Sequence, residues 1–145
     1  MSAEKYDKWT MPKALKVVAA IMEKQGRLLI AKRKKGDRLE GLWEFPGGKL
    51  ESGETPEEGL KRELQEEFGI ETRVGKFLCS VCFTSSTHFL ELWAYEVSYV
   101  TGPFSLYDHE EIRWVSLDEL DQYPLAEPDA AIIPKLRKIA LSTKS

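Results

Sequence analysis

Between Gly47 and Ile70 the chain reads GGKLESGETPEEGLKRELQEEFGI, and this segment restricts the fold and the chemistry more than any other. Thr55 is a good N-cap, Pro56 suits the first helical position and Glu58 completes a capping box, so a helix is expected over 55–68. Leu60, Leu64 and Phe68 recur on one stripe, and Gly69 ends the helix. Glu63, Glu66 and Glu67 are spaced three and four apart and share a face, where like charges cost roughly a few tenths of a kcal/mol per pair. Arg62 reaches Glu66 one turn on and offsets part of this; a divalent cation offsets it better. Hard carboxylate oxygens select Mg²⁺, or Mn²⁺, over softer metals. In the loop ahead of the helix, Gly47 and Gly48 permit close backbone approach and Lys49 adds a positive charge, an arrangement suited to phosphate. Taken alone, an acidic helix face is more often solvated surface.

The rest of the chain sets the frame. Its 145 residues are the usual size of one domain, with a core over about 14–141 and a loose N-terminal tail over 1–13. A net charge of −3, with both signs interspersed, provides no global attraction to nucleic acid. No apolar run approaches the roughly 18 residues that span a membrane, and the N-terminus has no signal-peptide core, so a cytoplasmic protein is expected. Cys79 and Cys82, lacking a second pair, read as buried thiols in a reducing compartment. Strands are expected over 16–22 and 27–33 with a turn at Gln25-Gly26, briefly at 43–45 before a break at Pro46-Gly47-Gly48, and then over 73–84, 88–100 and 111–115. A short helical turn follows Ser116, and a final helix runs over 129–141 with Ile132, Ile133, Leu136 and Ile139 as its apolar face. Mixed strands with two substantial helices make an α/β (α+β) sandwich.

The spacing of the acidic segment adds a resemblance. Gly48, Glu54, Arg62-Glu63-Leu64, Glu66-Glu67 and Gly69-Ile70 place nine matched positions in 23 residues, and together they resemble the full Nudix box. The hairpin over 16–33, the run Trp43–Lys49, the strand around Arg113-Trp114-Val115 and the last helix look like the MutT branch, over roughly 14–140. Gly59 departs from the usual small alanine.

The resemblance implies a Nudix fold, a mixed β-sheet in an α/β/α sandwich, and a Mg²⁺-dependent pyrophosphohydrolase that converts a nucleoside triphosphate to a monophosphate and pyrophosphate. It also implies that Glu63, Glu66, Glu67 and the Gly48 carbonyl form the metal shell, with Glu63 a candidate base and Arg62 holding the carboxylates by hydrogen bonds. Glu54 would steady the loop, and Glu110 or Glu111, with Glu111 favoured, would complete the metal set. Arg33 and Lys49 are candidate phosphate partners, Phe45, Phe83 and Leu92 candidate walls for the base, and Asp129 the candidate reader of the base edge. An ionised Asp129 accepts hydrogen bonds and favours an exocyclic amine such as that of cytosine, leaving oxidised guanine open; it also suits capping of the last helix. His88 and His109 read as surface or loop residues. The alternatives are a hydrolase of dinucleoside polyphosphates, nucleotide sugars or capped RNA, a non-catalytic nucleotide-sensing domain, and a lesion reader. No nucleic-acid or membrane partner is expected, and the chain suits a monomer or a homodimer.

Overall fold

The structure, a computed structural model, describes residues 13–84 and 88–144; the expected tail up to Pro12 lies outside them. In chain order the elements are β1 (Lys13–Lys24), β2 (Arg27–Arg33), β3 (Trp43–Glu44), β4 (Gly47–Lys49), α1 (Pro56–Phe68), β5 (Glu71–Thr84), β6 (His88–Thr101), β7 (His109–Val115), a 3₁₀ turn over Leu117–Gln122 and α2 (Glu127–Lys144). They build a mixed sheet in the order β3-β2-β1-β6-β5, with β4 on β1 and β7 on β2. β1 runs parallel to β6 over ten residue pairs, and the other pairings are antiparallel.

Alternation along the strands sorts the core into two layers. Val18, Ala20 and Met22 of β1 pack with Leu60, Leu64 and Phe68 of α1. Ala19 and Ile21 face the other way and pack with Ile132, Ile133 and Leu136 of α2. The result is an α/β/α sandwich. Among the described residues no helix is long and apolar enough to cross a membrane.

The β1–β2 hairpin pairs only next to its turn, at Glu23↔Leu28 and Lys24↔Arg27. Beyond that point the strands part. β4 takes up β1 at Val17–Ala19, while β7 and β3 take up β2. The candidate site forms around this split. The Pro46-Gly47-Gly48 run is therefore not a simple break: Gly47 and Gly48 belong to a sheet strand. Gly47 has φ 151°, and a Cβ there would stand 1.9 Å from the Val18 carbonyl oxygen, so only glycine lets the two backbones meet this closely.

Other boundaries move for local reasons. β7 begins at His109, two residues early, because a bulge between Lys32 and Arg33 extends its pairing with β2. α2 starts at Glu127, which puts Asp129 inside its first turn, and it continues through Pro134 because Ile132, Ile133 and Leu136 bury its apolar face. Gly59 approaches the loop after β4, where a Cβ would meet Leu50 Cδ2 at 2.2 Å and Glu54 Oε1 at 3.2 Å. Cys79 is buried and Cys82 exposed, both as free thiols, so the expectation of two buried thiols is corrected for Cys82.

Candidate active site

α1 is anchored at both ends, and this fixes its acidic face. Thr55 Oγ1 accepts the Glu58 N–H at 3.1 Å, and Glu58 Oε1 accepts the Thr55 N–H at 3.0 Å. Gly69, at φ 69°, donates its N–H to the Gln65 carbonyl at 2.8 Å. With Leu60, Leu64 and Phe68 fully buried, two of the glutamates meet β4. Gly48 lies so close to Glu63 that a Cβ would come within 1.5 Å of Glu63 Oε2, and Gly47 N–H makes a long hydrogen bond of 3.4 Å to Glu67 Oε1. Glu66, its side chain 58% exposed, stays at the open side.

Arg62 ties these groups together. It grips Glu54 with two nitrogens, Nε to Oε2 at 2.6 Å and Nη2 to Oε1 at 2.9 Å. Nη2 also donates to the Lys49 carbonyl at 3.0 Å, and Nη1 to Glu63 at 3.1 Å and Glu66 at 3.2 Å. A planar guanidinium can serve these acceptors at once, where a lysine ammonium could not match the fork. Glu54 in turn accepts the Glu51 N–H at 2.8 Å, and the Arg62 hydrogen bond holds its carboxyl down at about 2. The loop and the helix face are thereby one hydrogen-bonded unit.

The inner carboxylates hold their protons tightly. Burial, opposed by Arg62 and assisted by Glu66, pushes Glu63 up to about 7. Burial pushes Glu67 up to about 9, with the charges of Glu44 and Glu63 adding to it. Crowded, partly dehydrated carboxylates take up either protons or a cation. The donor set is hard oxygen, and Gly48, which has no side chain, leaves room at Glu63. These residues fit a divalent metal, and Glu44, Glu67 and His109 also offer ligand atoms within 4.8 Å of one another.

Glu44 and His109 were not among the sequence-derived candidates. A signal for Glu44 exists: Trp43 and Phe45 are both buried in the α2-side layer, so strand alternation turns Glu44 to the α1 side. Its Oε2 accepts from Arg33 Nη1 at 2.9 Å and lies 2.8 Å from His109 Nε2. His109 is not the surface residue expected. Its side chain is fully buried and its ring stacks on Phe68, with centroids 5.3 Å apart and planes at 15°. No local sequence pattern discloses that, because both partners come from distant elements.

The remaining candidates divide. Lys49 is exposed at the end of β4. Arg33 is directed to protein carboxylates instead of being open to phosphate: besides Glu44 it binds Asp37 Oδ2 at 2.5 Å. Phe45, with Leu92, is core and not an open wall, since it is 2% exposed in the α2-side layer. Phe83 is partly buried against the same layer. Asp129 is buried and accepts the Phe45 N–H at 2.9 Å; burial, and then the charge of Glu44, push its carboxyl up to about 7. It follows the helix start and is not its N-cap. Glu111 does not join the carboxylates. It pairs with Arg113 at 2.6 Å, and Arg113 lies over the Trp43 and Tyr123 rings of the opposite layer. His88 sits in β6, and its side chain lies outside the described residues.

Comparison with known proteins agrees with this arrangement. The NUDIX domain profile matches residues 12–136. The CTP pyrophosphohydrolase of Escherichia coli K12 is 40% identical over 121 residues, covering 83% of this chain and 90% of its own. The 8-oxo-dGTP diphosphatase of Haemophilus influenzae is 32% identical over 126 residues, covering 86% and 92%. The solution structure of the E. coli ORF135 protein superposes with a TM-score of 0.82 at 36% identity, covering 90% of this chain and 94% of that one.

Proposed function

The chain belongs to the Nudix hydrolase family, and from its site we propose that it hydrolyses a nucleoside triphosphate to the monophosphate and pyrophosphate, with a cytosine nucleotide as the preferred substrate. The observation that carries this reading is the assembly of Glu63, Glu66 and Glu67 against Gly47-Gly48 with Arg62 holding the set. A Mg²⁺ or Mn²⁺ ion held by Glu63, Glu66, Glu67 and the Gly48 carbonyl would neutralise phosphate charge and make a bound water more acidic. Arg62 keeps the carboxylates in place by its hydrogen bonds to Glu54, Glu63 and Glu66. Exposed Lys49, next to the glycines, meets the phosphates. Glu63 takes the proton of the attacking water. The new bond forms at the β-phosphorus, the bond from that phosphorus to the oxygen bridging the α-phosphate breaks, and the α-phosphate leaves with the nucleoside.

The base meets two carboxyl groups of different character. Glu44 accepts a hydrogen bond from an exocyclic amine. Asp129, with its carboxyl near 7, donates when protonated. An acceptor beside a donor matches the N4 amine and N3 of cytosine, and the relative named for CTP points the same way.

The test is product analysis after incubation with CTP, dCTP, 5-methyl-dCTP, GTP, dGTP and 8-oxo-dGTP plus Mg²⁺, with Glu66→Gln as control. Monophosphate and pyrophosphate from the cytosine nucleotides, lost in the control, are expected. Preference for 8-oxo-dGTP would overturn the base assignment. No cleavage of any triphosphate would overturn the reaction and direct attention to nucleotide sugars or dinucleoside polyphosphates.

A further inference from the structure

His109 makes one polar contact among the described residues, from Nε2 to Glu44 Oε2 at 2.8 Å. Its Nδ1 is buried without a hydrogen-bond partner. Leaving a buried ring nitrogen unpartnered disfavours the fold, whereas a phenyl ring would stack on Phe68 without that cost. The Glu44 contact is therefore what a histidine supplies here that an apolar ring does not. Because a carboxylate only accepts, Nε2 carries the proton and donates it.

The same oxygen of Glu44 also takes Arg33 Nη1. Arg33 is itself fixed through Asp37, whose Oδ1 accepts the Leu39 N–H at 2.8 Å. The two donors come from paired strands: Arg33 of β2 lies opposite His109 of β7 at the bulge. Glu44 Oε2 is thus clamped from two elements, and no donor from the described residues reaches Oε1.

We propose that His109 is a positioning residue for substrate recognition: by clamping Oε2 of Glu44 together with Arg33, it presents Oε1 as a fixed acceptor for the amine of the base. This rests on the reading of Glu44 given above. Glu44 is well placed for the task, since its charge is felt by both Glu67 in the carboxylate cluster and Asp129. The bulge in β7 acquires a purpose as well. It extends the strand by one irregular pair and turns His109 into the α1-side layer, where the Phe68 ring sets its plane.

Two variants separate the donor from the ring. His109→Gln keeps an amide donor near the Nε2 position and loses the stack; His109→Phe keeps the stack and loses the donor. For each, melting temperature, Mn²⁺ affinity by paramagnetic resonance, affinity for CMP and GMP, and KM and kcat on CTP and GTP are measured. Monophosphate binding keeps the test independent of catalysis, so it still reports if the triphosphates are not cleaved and the proposed reaction fails. The proposal expects His109→Phe to fold, to bind Mn²⁺ within about twofold of wild type and to lose about fivefold or more of the CMP-over-GMP preference, mainly through KM in turnover. His109→Gln should retain the preference. Full preference in His109→Phe would overturn the proposal. So would equal loss in both variants together with a fall in Mn²⁺ affinity, which would make His109 a metal ligand, or the absence of base preference in wild type.

Discussion

Glu67→Gln in the metal-free protein tests the electrostatic account of the site most directly. Glu67 is 6% exposed, and burial, reinforced by Glu44 and Glu63, pushes its carboxyl from 4.5 to about 9. The folded value lies above the unfolded one, so between them the folded state holds a proton that the unfolded state has released. The associated stability is complete below about pH 4.5 and is lost as pH rises through about 9. One bound proton corresponds to about 1.36 kcal/mol per pH unit. The window from about pH 7.5 to 8.5 isolates this residue, because Glu63 and Asp129 rise only to about 7 and Glu54, near 2, is ionised in both states. Averaged over that window, Glu67 holds most of a proton, so wild-type stability should fall by about 1.2 kcal/mol per unit. Glutamine, which does not titrate, should leave a nearly flat profile. Urea unfolding in a chelating buffer at three pH values measures the two slopes. Saturating Mn²⁺ should flatten the wild-type slope as well, since a bound cation takes the place of the proton. Parallel slopes for wild type and Glu67→Gln without metal would refute the reasoning.

Two further outcomes follow from contacts already described. Gly47→Ala should lower stability by several kcal/mol or prevent folding, because its Cβ meets the Val18 backbone at 1.9 Å and the β1–β4 pairing cannot give way cheaply; expression and thermal unfolding read this out, and a stable variant would count against the close approach. Asp129→Asn should keep both the Phe45 N–H bond and a donor for the base, and so remove the rise in KM for CTP expected in wild type as pH passes about 7, whereas Asp129→Ala should cost about 1–3 kcal/mol by leaving a buried N–H unpaired; pH-resolved kinetics and denaturation of the two variants check both halves.

α1 was legible in the sequence because everything that makes it is local. Thr55, Pro56, Glu58 and Gly69 define its ends, and three- and four-residue spacing puts its glutamates on one face. The strand order of hydrophobic residues likewise gave the sandwich, since alternation sorts Val18 from Ala19 whatever the partners are. The glycine pair shows where locality ends. As a sequence it reads as a turn, and only the parting of the β1–β2 hairpin makes room for it to become a strand. The chain alone thus determined that a carboxylate helix exists and what it would bind. Tertiary structure decided that Glu44 and His109 stand beside it, that Arg33 serves Glu44, and that Glu111 faces the other layer. Those facts depend on which of distant strands pair and in what register, and a one-residue bulge is enough to change which face a side chain occupies.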